Sequence, residues 1–255
     1  MSVSIKTKEE IAKLRVCGKV LAKLLKYLKD NTKAGMSTGE IDRLAHAYIV
    51  ENKCKPVLLN YQPYGADYPY PATLCISIND EIVHGIPDDA RIIKEGDLVS
   101  YDCTIGYDGM ITDSAITFGV GSISQAEAIL MDITKNALNE GIKAAVSGNY
   151  VNDISKAIEK SIPKGYGITK IFSGHGVGYK VHEEPYIPNY NDGVKGPKLK
   201  PGMVLAIEPM ITLGTDDADF LEDGYTAVTS DGSKAAHFEH TVVITDSAAE
   251  VLTVE

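Results

Sequence analysis

The amino-acid sequence predicts an α+β fold built from two similar halves. Amphipathic helices and strand-like runs occupy separate blocks of the chain, which is typical of α+β proteins. The same order, two helices followed by strands, occurs in about residues 1–120 and again in about residues 121–255. This order indicates an internal duplication, although the halves share no visible sequence identity. We therefore expect a single domain over residues 1–255, with a functional site between its halves.

The first half opens with two predicted helices. Apolar residues recur at three- and four-residue spacing over residues 6–28, and Gly18 within this run is a mild cost to the helix. Gly35 and Ser37 then interrupt the pattern before a second helix over residues 41–52. A loop rich in tyrosine, proline and glycine follows at residues 61–71. The strand-like runs of this half are residues 73–78, 98–105 and 111–118.

The second half repeats this order. Residues 126–146 and 151–162 have helical periodicity, and Asn152 and Asp153 open the second helix. A glycine-rich stretch follows. The strand-like runs of this half are residues 203–209, 225–229 and 238–245.

The composition excludes several classes of protein. The 255 residues are 44% hydrophobic and 24% charged, as in ordinary globular proteins. No run approaches the roughly 20 apolar residues of a membrane span, and residues 1–10 lack the apolar core of a secretion signal. The net charge of −10 argues against nucleic-acid binding. The four cysteines form no CxxC pair, so we expect free thiols in a reducing cytoplasm.

Two aspartates lie on one predicted hairpin. Asp108-Gly109 is a strong signal for a two-residue turn, which would pair Asp102 with Ala115. Because successive side chains of a strand alternate between faces, Asp102 and Asp113 would then share one face. Two carboxylates this close among apolar neighbours repel each other unless a cation lies between them. The other interpretation, two solvent-facing strand residues, stays open at this point.

Three further residues carry metal-ligand chemistry. Glycines on both sides of His175 let the backbone approach a ligand closely or adopt a positive φ, which suits a histidine held at a metal. Glu208 ends one apolar strand and Glu239 begins another, and each would need a cationic partner if buried. With the two aspartates they form an oxygen and nitrogen donor set suited to Mn, Fe(II), Co or Zn. Five ligands exceed the need of one tetrahedral zinc, which indicates a hydrolytic site with two ions.

Five segments resemble type I methionine aminopeptidases, in order along essentially the whole chain. They are NDEIVHGIPDD (79–89), Asp102 with Asp113-Ser114, GHGVG with HEEP (174–178, 182–185), PGM with IEPM (201–203, 207–210) and FEHT (238–241). The resemblance implies the pita-bread (creatinase/aminopeptidase) fold, in which two pseudo-symmetric halves surround a curved antiparallel sheet. It also implies that the single domain is catalytic.

The resemblance also implies the roles of the site residues. Asp113 and Glu239 would bridge two divalent ions (Mn, Fe, Co or Zn), Asp102 would complete one ion's shell, and His175 and Glu208 the other's. A hydroxide between the ions would attack the first peptide carbonyl, with Glu208 relaying protons. Two further histidines would be catalytic and contact the substrate. His182 would hydrogen-bond the developing oxyanion, and His84 would contact the amide backbone.

The implied pocket for the methionine side chain departs from the family. Its residues here, besides His84 and His182, are Tyr61, Tyr70, Cys75, Val181 and Tyr225. Val181 stands where phenylalanine is usual, Tyr225 where tryptophan is usual, and Gln62 where histidine is usual. About six extra residues enlarge the loop at 63–69. The metal ligands are unaffected by these changes, whereas the selectivity for methionine depends on them.

The family implies removal of the N-terminal initiator methionine from nascent proteins whose second residue is small. We expect a cytoplasmic monomer that contacts the ribosome transiently and binds neither nucleic acid nor membrane. Two alternatives are a proline-specific aminopeptidase of the same superfamily and a catalytically inactive pita-bread binding protein. The HGIP and FEHT segments favour the methionine enzyme over the first, and the complete ligand set argues against the second.

Overall fold

The computed structural model describes residues 3–255. Met1 and Ser2, which begin the segment predicted to lack a secretion signal, lie outside the described residues. The helices are α1 (Lys8–Asn31), α2 (Thr38–Glu51), α3 (Gln125–Ala144) and α4 (Val151–Ser161). The strands are β1 (Lys55–Pro56), β2 (Cys75–Ile78), β3 (Glu81–Val83), β4 (Leu98–Tyr107), β5 (Met110–Gly119), β6 (Gly167–Ile168), β7 (Ser173–Gly176), β8 (Glu183–Pro188), β9 (Val204–Ile207), β10 (Met210–Thr212), β11 (Ala218–Phe220), β12 (Ala227–Thr229), β13 (Ala235–His237), β14 (His240–Val243) and β15 (Glu250–Val251).

All four predicted helices are confirmed, and capping residues set where they begin. Thr7 precedes α1 and forms a capping box with Glu10, whose backbone N–H donates to Thr7 Oγ1 at 3.3 Å. Ser124 caps α3 in the same way. Ser37 caps α2 by accepting from the Glu40 backbone N–H at 3.0 Å, so this helix begins three residues before the predicted start.

The predicted hairpin between β4 and β5 is confirmed in its register. Tyr107 pairs with Met110 and Asp102 with Ala115, as the two-residue turn requires. Asp108 and Gly109 have φ values of +47° and +82°, the left-handed conformations that a type I′ turn needs at both central positions.

The glycine-rich stretch between α4 and β9 contains three strands that periodicity did not predict: β6, β7 and β8. Strand β7 lies between β8 and β9 in a five-stranded antiparallel sheet ordered β15-β14-β9-β7-β8. The predicted strand over residues 203–209 is shorter, because β9 ends at Ile207 and β10 begins beyond Pro209. The runs at 225–229 and 238–245 are observed as the shorter strands β12 and β14.

Two apolar clusters hold the helices against the sheets. In the first, α1 and α2 pack on β2 and β4, with Tyr101 among its largest buried side chains. In the second, α3 and α4 pack on β9, β10 and β14. The four cysteines are buried free thiols, as predicted. Within residues 3–255, no helix has the length and apolar character to cross a membrane.

Hydrogen bonds from β5 to the segment around Glu239 join the first half of the chain to the second. The Asp113 backbone N–H donates to Thr241 Oγ1 at 2.9 Å, and the same hydroxyl donates to the Asp113 carbonyl at 2.7 Å. The Glu239 backbone N–H donates to the Ala115 carbonyl at 2.9 Å. Ser114 Oγ donates to the Glu239 carbonyl at 2.7 Å. These contacts bring Asp113 beside Glu239, although more than 120 residues separate them in sequence.

Gly18 allows the C-terminal segment to pack directly against α1, which explains why a glycine is present inside this helix. A Cβ at this position would lie 2.2 Å from the carbonyl oxygen of Leu252, so the C-terminal segment docks directly on the helix backbone.

We predict that Gly18→Ala destabilises the fold by about 1–3 kcal/mol through overpacking, although alanine favours an isolated helix by about 1 kcal/mol. Urea unfolding measures the change. Lys19→Ala, on the exposed side of α1, is the control, and a Gly18→Ala protein as stable as this control would contradict the docking.

Candidate metal centre and substrate pocket

The structure brings all five predicted metal ligands to one cavity of about 340 Å³. Asp102 lies on β4, Asp113 on β5 and His175 on β7. Glu208 follows the end of β9, and Glu239 lies between β13 and β14. The predicted substrate-binding residues line the same cavity: Tyr61, Tyr70, Cys75, His84, Val181, His182 and Tyr225.

Close backbone packing explains the glycines beside His175. A Cβ on Gly174 would lie 2.5 Å from the Ala206 carbonyl oxygen, and one on Gly176 would lie 2.3 Å from the Glu184 carbonyl oxygen. Neither glycine has a positive φ, and the close approach is to the backbone of neighbouring strands rather than to a ligand. His175 Nδ1 lies 2.9 Å from the Gly176 carbonyl oxygen, which directs Nε2 towards Glu208 Oε1 at 3.3 Å.

The four carboxylates raise one another's affinity for protons. Burial raises the pKa of Asp102, Glu208 and Glu239 well above the usual range, and repulsion from Asp113 adds to the rise in each case. Burial also raises the pKa of Asp113. A divalent cation among these groups would remove the repulsion and restore the charged forms.

Burial has the opposite effect on the histidines of the site. It lowers the pKa of His84, His175, His182 and His237 to about 4 in each case. Their imidazoles are therefore neutral at physiological pH, which is the form that ligates a metal or donates one hydrogen bond.

The backbone of His84 lies in the left-handed region, with a φ of +63°. Residues other than glycine seldom adopt this conformation, and exceptions concentrate at functional sites. The imidazole packs edge-to-face against Phe172, with ring centroids 5.5 Å apart. This backbone geometry directs the His84 side chain into the cavity.

Contacts on three sides hold His182 in place. Its Nδ1 lies 3.0 Å from the hydroxyl of Tyr61, and its ring centroid lies 4.5 Å from that of His175. The adjacent residue, Glu183, accepts a hydrogen bond from buried Lys6 Nζ at 2.7 Å and one from the Tyr179 backbone N–H at 2.5 Å. The turn that carries His182 is thus anchored to the N-terminal segment.

The apolar part of the cavity is formed by a small aromatic cluster. Tyr70, Cys75 and Tyr225 are buried together, and the Tyr70 and Tyr225 rings meet edge-to-face at 5.2 Å. The Tyr70 hydroxyl donates to the Gly85 carbonyl at 2.9 Å, so the phenol group is satisfied and the ring faces the pocket. Val181 completes this part of the lining.

The enlarged loop at residues 63–69 forms part of the cavity wall. The Tyr225 hydroxyl donates to the Tyr68 carbonyl, and the Tyr68 hydroxyl donates to the Asp223 carbonyl at 2.5 Å. Gln62 donates to the Ala66 carbonyl at 2.9 Å and so braces the loop from within. Gln62 and Tyr225, where the resemblance implies other residues, thus both contact this loop.

The pattern of metallopeptidase family M24 matches residues 12–246 of this chain. The chain belongs to metallopeptidase family M24. A methionine aminopeptidase of Aquifex aeolicus is 45% identical over an alignment that covers 99% of this chain and 99% of that relative. Methionine aminopeptidase of Thermotoga maritima has a crystal structure similar to this one, with a TM-score of 0.94, 37% identity and 100% of both chains covered.

A prolidase of Pyrococcus furiosus has a related structure, with a TM-score of 0.77 and 26% identity over 98% of this chain and 65% of the prolidase. The two structural similarities confirm the predicted pita-bread fold for this M24 chain. The family is one of metal-dependent peptidases, so divalent metal ions belong to its chemistry.

The side chains of this M24 site fit divalent ions. Donor atoms of Asp113, His175 and Glu239 all lie within 4.8 Å of one another, as do those of Glu208, His237 and Glu239. Glu239 belongs to both groups, and its buried Oε1 has no hydrogen-bond partner among residues 3–255. Neutral imidazoles with carboxylates suit borderline divalent ions.

Three residues near the site were not predicted from the sequence. His237 is fully buried beside Glu208, and its spacing of two residues from Glu239 was the signal that could have identified it. Phe172 and Phe220 also line the cavity, with ring centroids 6.3 Å apart. No sequence signal distinguished these phenylalanines from ordinary core residues.

We predict that stabilisation of this M24 protein by Mn²⁺ increases with pH. Burial raises the pKa of Asp102, Glu208 and Glu239 well above the usual range, so the folded metal-free protein keeps protons there that the unfolded chain has lost, and its stability falls as pH rises above about 4.5. Binding must displace these protons, while the four histidines are already neutral. Each displaced proton strengthens binding by about 1.4 kcal/mol per pH unit.

Melting temperatures with and without excess Mn²⁺, measured at pH 6 and pH 8, test this prediction. The metal-induced rise should be several degrees larger at pH 8. A chelator in place of the metal is the control. An equal rise at both pH values would mean that the carboxylates are already charged in the metal-free protein.

Proposed function

We propose that this chain is a metal-dependent aminopeptidase that removes the initiator methionine from nascent proteins whose second residue is small. One observation carries the proposal. Five metal-ligand side chains and two histidines share a single cavity with an aromatic, cysteine-containing pocket, in a chain similar over its full length to methionine aminopeptidases.

Two divalent ions are proposed. Asp113 and Glu239 would serve both ions, Asp102 would complete one set of ligands, and His175 and Glu208 would complete the other. The bound ions would supply Lewis-acid activation of the carbonyl and lower the pKa of water towards neutrality. Manganese, iron, cobalt and zinc all accept these donors.

Glu208 is proposed to move the proton. Its carboxylate lies between two imidazoles, with Oε1 3.3 Å from His175 Nε2 and Oε2 3.3 Å from His237 Nε2. Burial raises the pKa of Glu208, so it can take a proton from the attacking water and pass it to the leaving amine.

His182 is proposed to stabilise the negative charge that develops on the substrate carbonyl oxygen. When the Tyr61 hydroxyl donates to His182 Nδ1, the neutral ring carries its proton on Nε2. The ring then offers one donor to the oxyanion. His84, opposite, is proposed to hold the substrate's amide backbone.

The cluster of Tyr70, Cys75, Val181 and Tyr225 is proposed to receive the methionine side chain. Thioether groups pack favourably against aromatic rings, and this cluster offers two tyrosine rings beside a thiol. Val181 and residues of the loop at 63–69 line the same cavity, so both would contact that side chain.

Further predictions accompany this function. We propose a single catalytic domain over residues 1–255 with pseudo-duplicated halves, acting as a cytoplasmic monomer in transient contact with the ribosome. No binding of nucleic acid or membrane is expected, given the net charge of −10.

A peptide panel tests the substrate class. Peptides beginning Met-Ala, Met-Val, Ala-Pro and Leu-Ala are assayed after chelation and addition of single metals. Cleavage confined to the two methionine peptides is expected. Cleavage of Ala-Pro would support the proline-specific alternative, and metal binding without any cleavage would support an inactive binding protein.

We predict that Glu208→Gln lowers kcat by about 10²–10⁴-fold, because an amide cannot relay the proton. The fold should persist, since the side chains are nearly equal in size. Steady-state kinetics at full metal loading measure the loss, with Glu51→Gln on the exposed end of α2 as the matched control. Near-normal kcat in Glu208→Gln at full loading would rule out the proton-relay role.

A further inference from the structure

His237 is a buried histidine that the five-ligand set does not include. It ends β13, pairs with Met210 across the sheet, and is inaccessible to solvent. Its backbone is fixed by Thr117, whose hydroxyl accepts from the His237 N–H and donates to the His237 carbonyl, each at 2.8 Å. The side chain therefore has little freedom to turn away from the site.

Both ring nitrogens of His237 are buried without a hydrogen-bond partner among the described residues. The comparison with His175 is informative, since Nδ1 of that ligand is occupied by the Gly176 carbonyl and Nε2 alone faces the site. Buried polar atoms are ordinarily paired, and an exception in a native structure points to an unseen partner such as an ion.

A predicted metal ligand lies beside the ring of His237. Nε2 of His237 lies 3.3 Å from Glu208 Oε2, and His175 Nε2 lies 3.3 Å from the other oxygen of that carboxylate, Oε1. Donor atoms of Glu208, His237 and Glu239 also lie within 4.8 Å of one another, the separation expected of ligands around one ion. This group is adjacent to the group of Asp113, His175 and Glu239, because Glu239 is common to both.

We propose that His237 is an additional nitrogen ligand, which binds one of the two divalent ions together with Glu208 and Glu239. The site then has six protein ligands, four carboxylates and two imidazoles, and each imidazole lies on one side of Glu208. The proposal rests on the metal-dependent function argued above. A second imidazole shifts the site's preference towards zinc, cobalt and iron relative to manganese, because imidazole suits those ions better than an all-oxygen set does.

X-ray absorption of the zinc-loaded protein counts the imidazoles directly. With two ions bound, His175 and His237 give an average of one imidazole per zinc, and His237→Ala should halve this average. His175→Ala is the positive control and should lower the count equally. His46→Gln, on α2 with its ring against Thr73, is the control expected to leave it unchanged.

Calorimetric titration of the metal-free protein supplies the second measurement. His237→Ala should weaken the binding of Co²⁺ and Zn²⁺ at one site by roughly tenfold or more, and that of Mn²⁺ by less. If His237→Ala fails to fold, as judged by circular dichroism, His237→Gln fills the same space without an imidazole and takes its place in both measurements.

An unchanged imidazole count, with zinc affinity within twofold of wild type, would overturn the proposal and leave His237 as a neighbour of Glu208 only. This result would not affect the proposed function, provided the wild type binds two ions and cleaves methionine peptides. If the wild-type protein binds no ion, the proposed metal-dependent function is itself contradicted.

Discussion

Four carboxylates share one buried cavity, and their mutual repulsion is the constraint on which the site depends. Asp102 and Asp113 are brought together by a single hairpin, whereas Glu208 and Glu239 arrive from separate strands of the other half. The bonds among Asp113, Thr241 and Ser114 fasten the two halves where the charges meet. Such an arrangement is costly without cations and favourable with them.

The residues around the four carboxylates are also suited to binding cations. The glycines beside His175 let three strands approach so closely that any larger side chain would collide with a carbonyl oxygen. Burial keeps the nearby imidazoles neutral, so they can act as ligands or single hydrogen-bond donors. The carboxylates and the aromatic cluster line the same cavity, and Cys75 of the cluster pairs with Asp102 across the sheet.

Local signals in the sequence were sufficient for the helices and for the Asp102–Asp113 hairpin. Capping residues and apolar periodicity define the helices, and Asp108-Gly109 defines the register of β4 with β5. Strand β7 was missed because three of the four residues from 173 to 176 are glycine or serine, so its packing between β8 and β9 leaves no apolar alternation.

The meeting of Asp113 with Glu239 depends on contacts between distant parts of the chain. Local pattern contains no information about these contacts. The donor chemistry of the five residues indicated a shared site, and the family resemblance implied which ligands serve which ion. His237 was missed although it lies two residues before Glu239, because spacing alone does not distinguish a ligand from a buried core histidine, and its unpaired ring nitrogens are visible only in the structure. The contacts of the loop at 63–69 were also not predictable from the sequence, because its hydrogen bonds with Tyr225 and Asp223 join residues that are far apart along the chain.

Anomalous X-ray diffraction from crystals loaded with Mn²⁺ tests the central claim most directly. The account predicts two anomalous peaks about 3.5–4 Å apart, with Glu239 as a ligand common to both. A single peak, or two peaks without a shared carboxylate, would contradict the claim that the buried carboxylates form one centre for two ions.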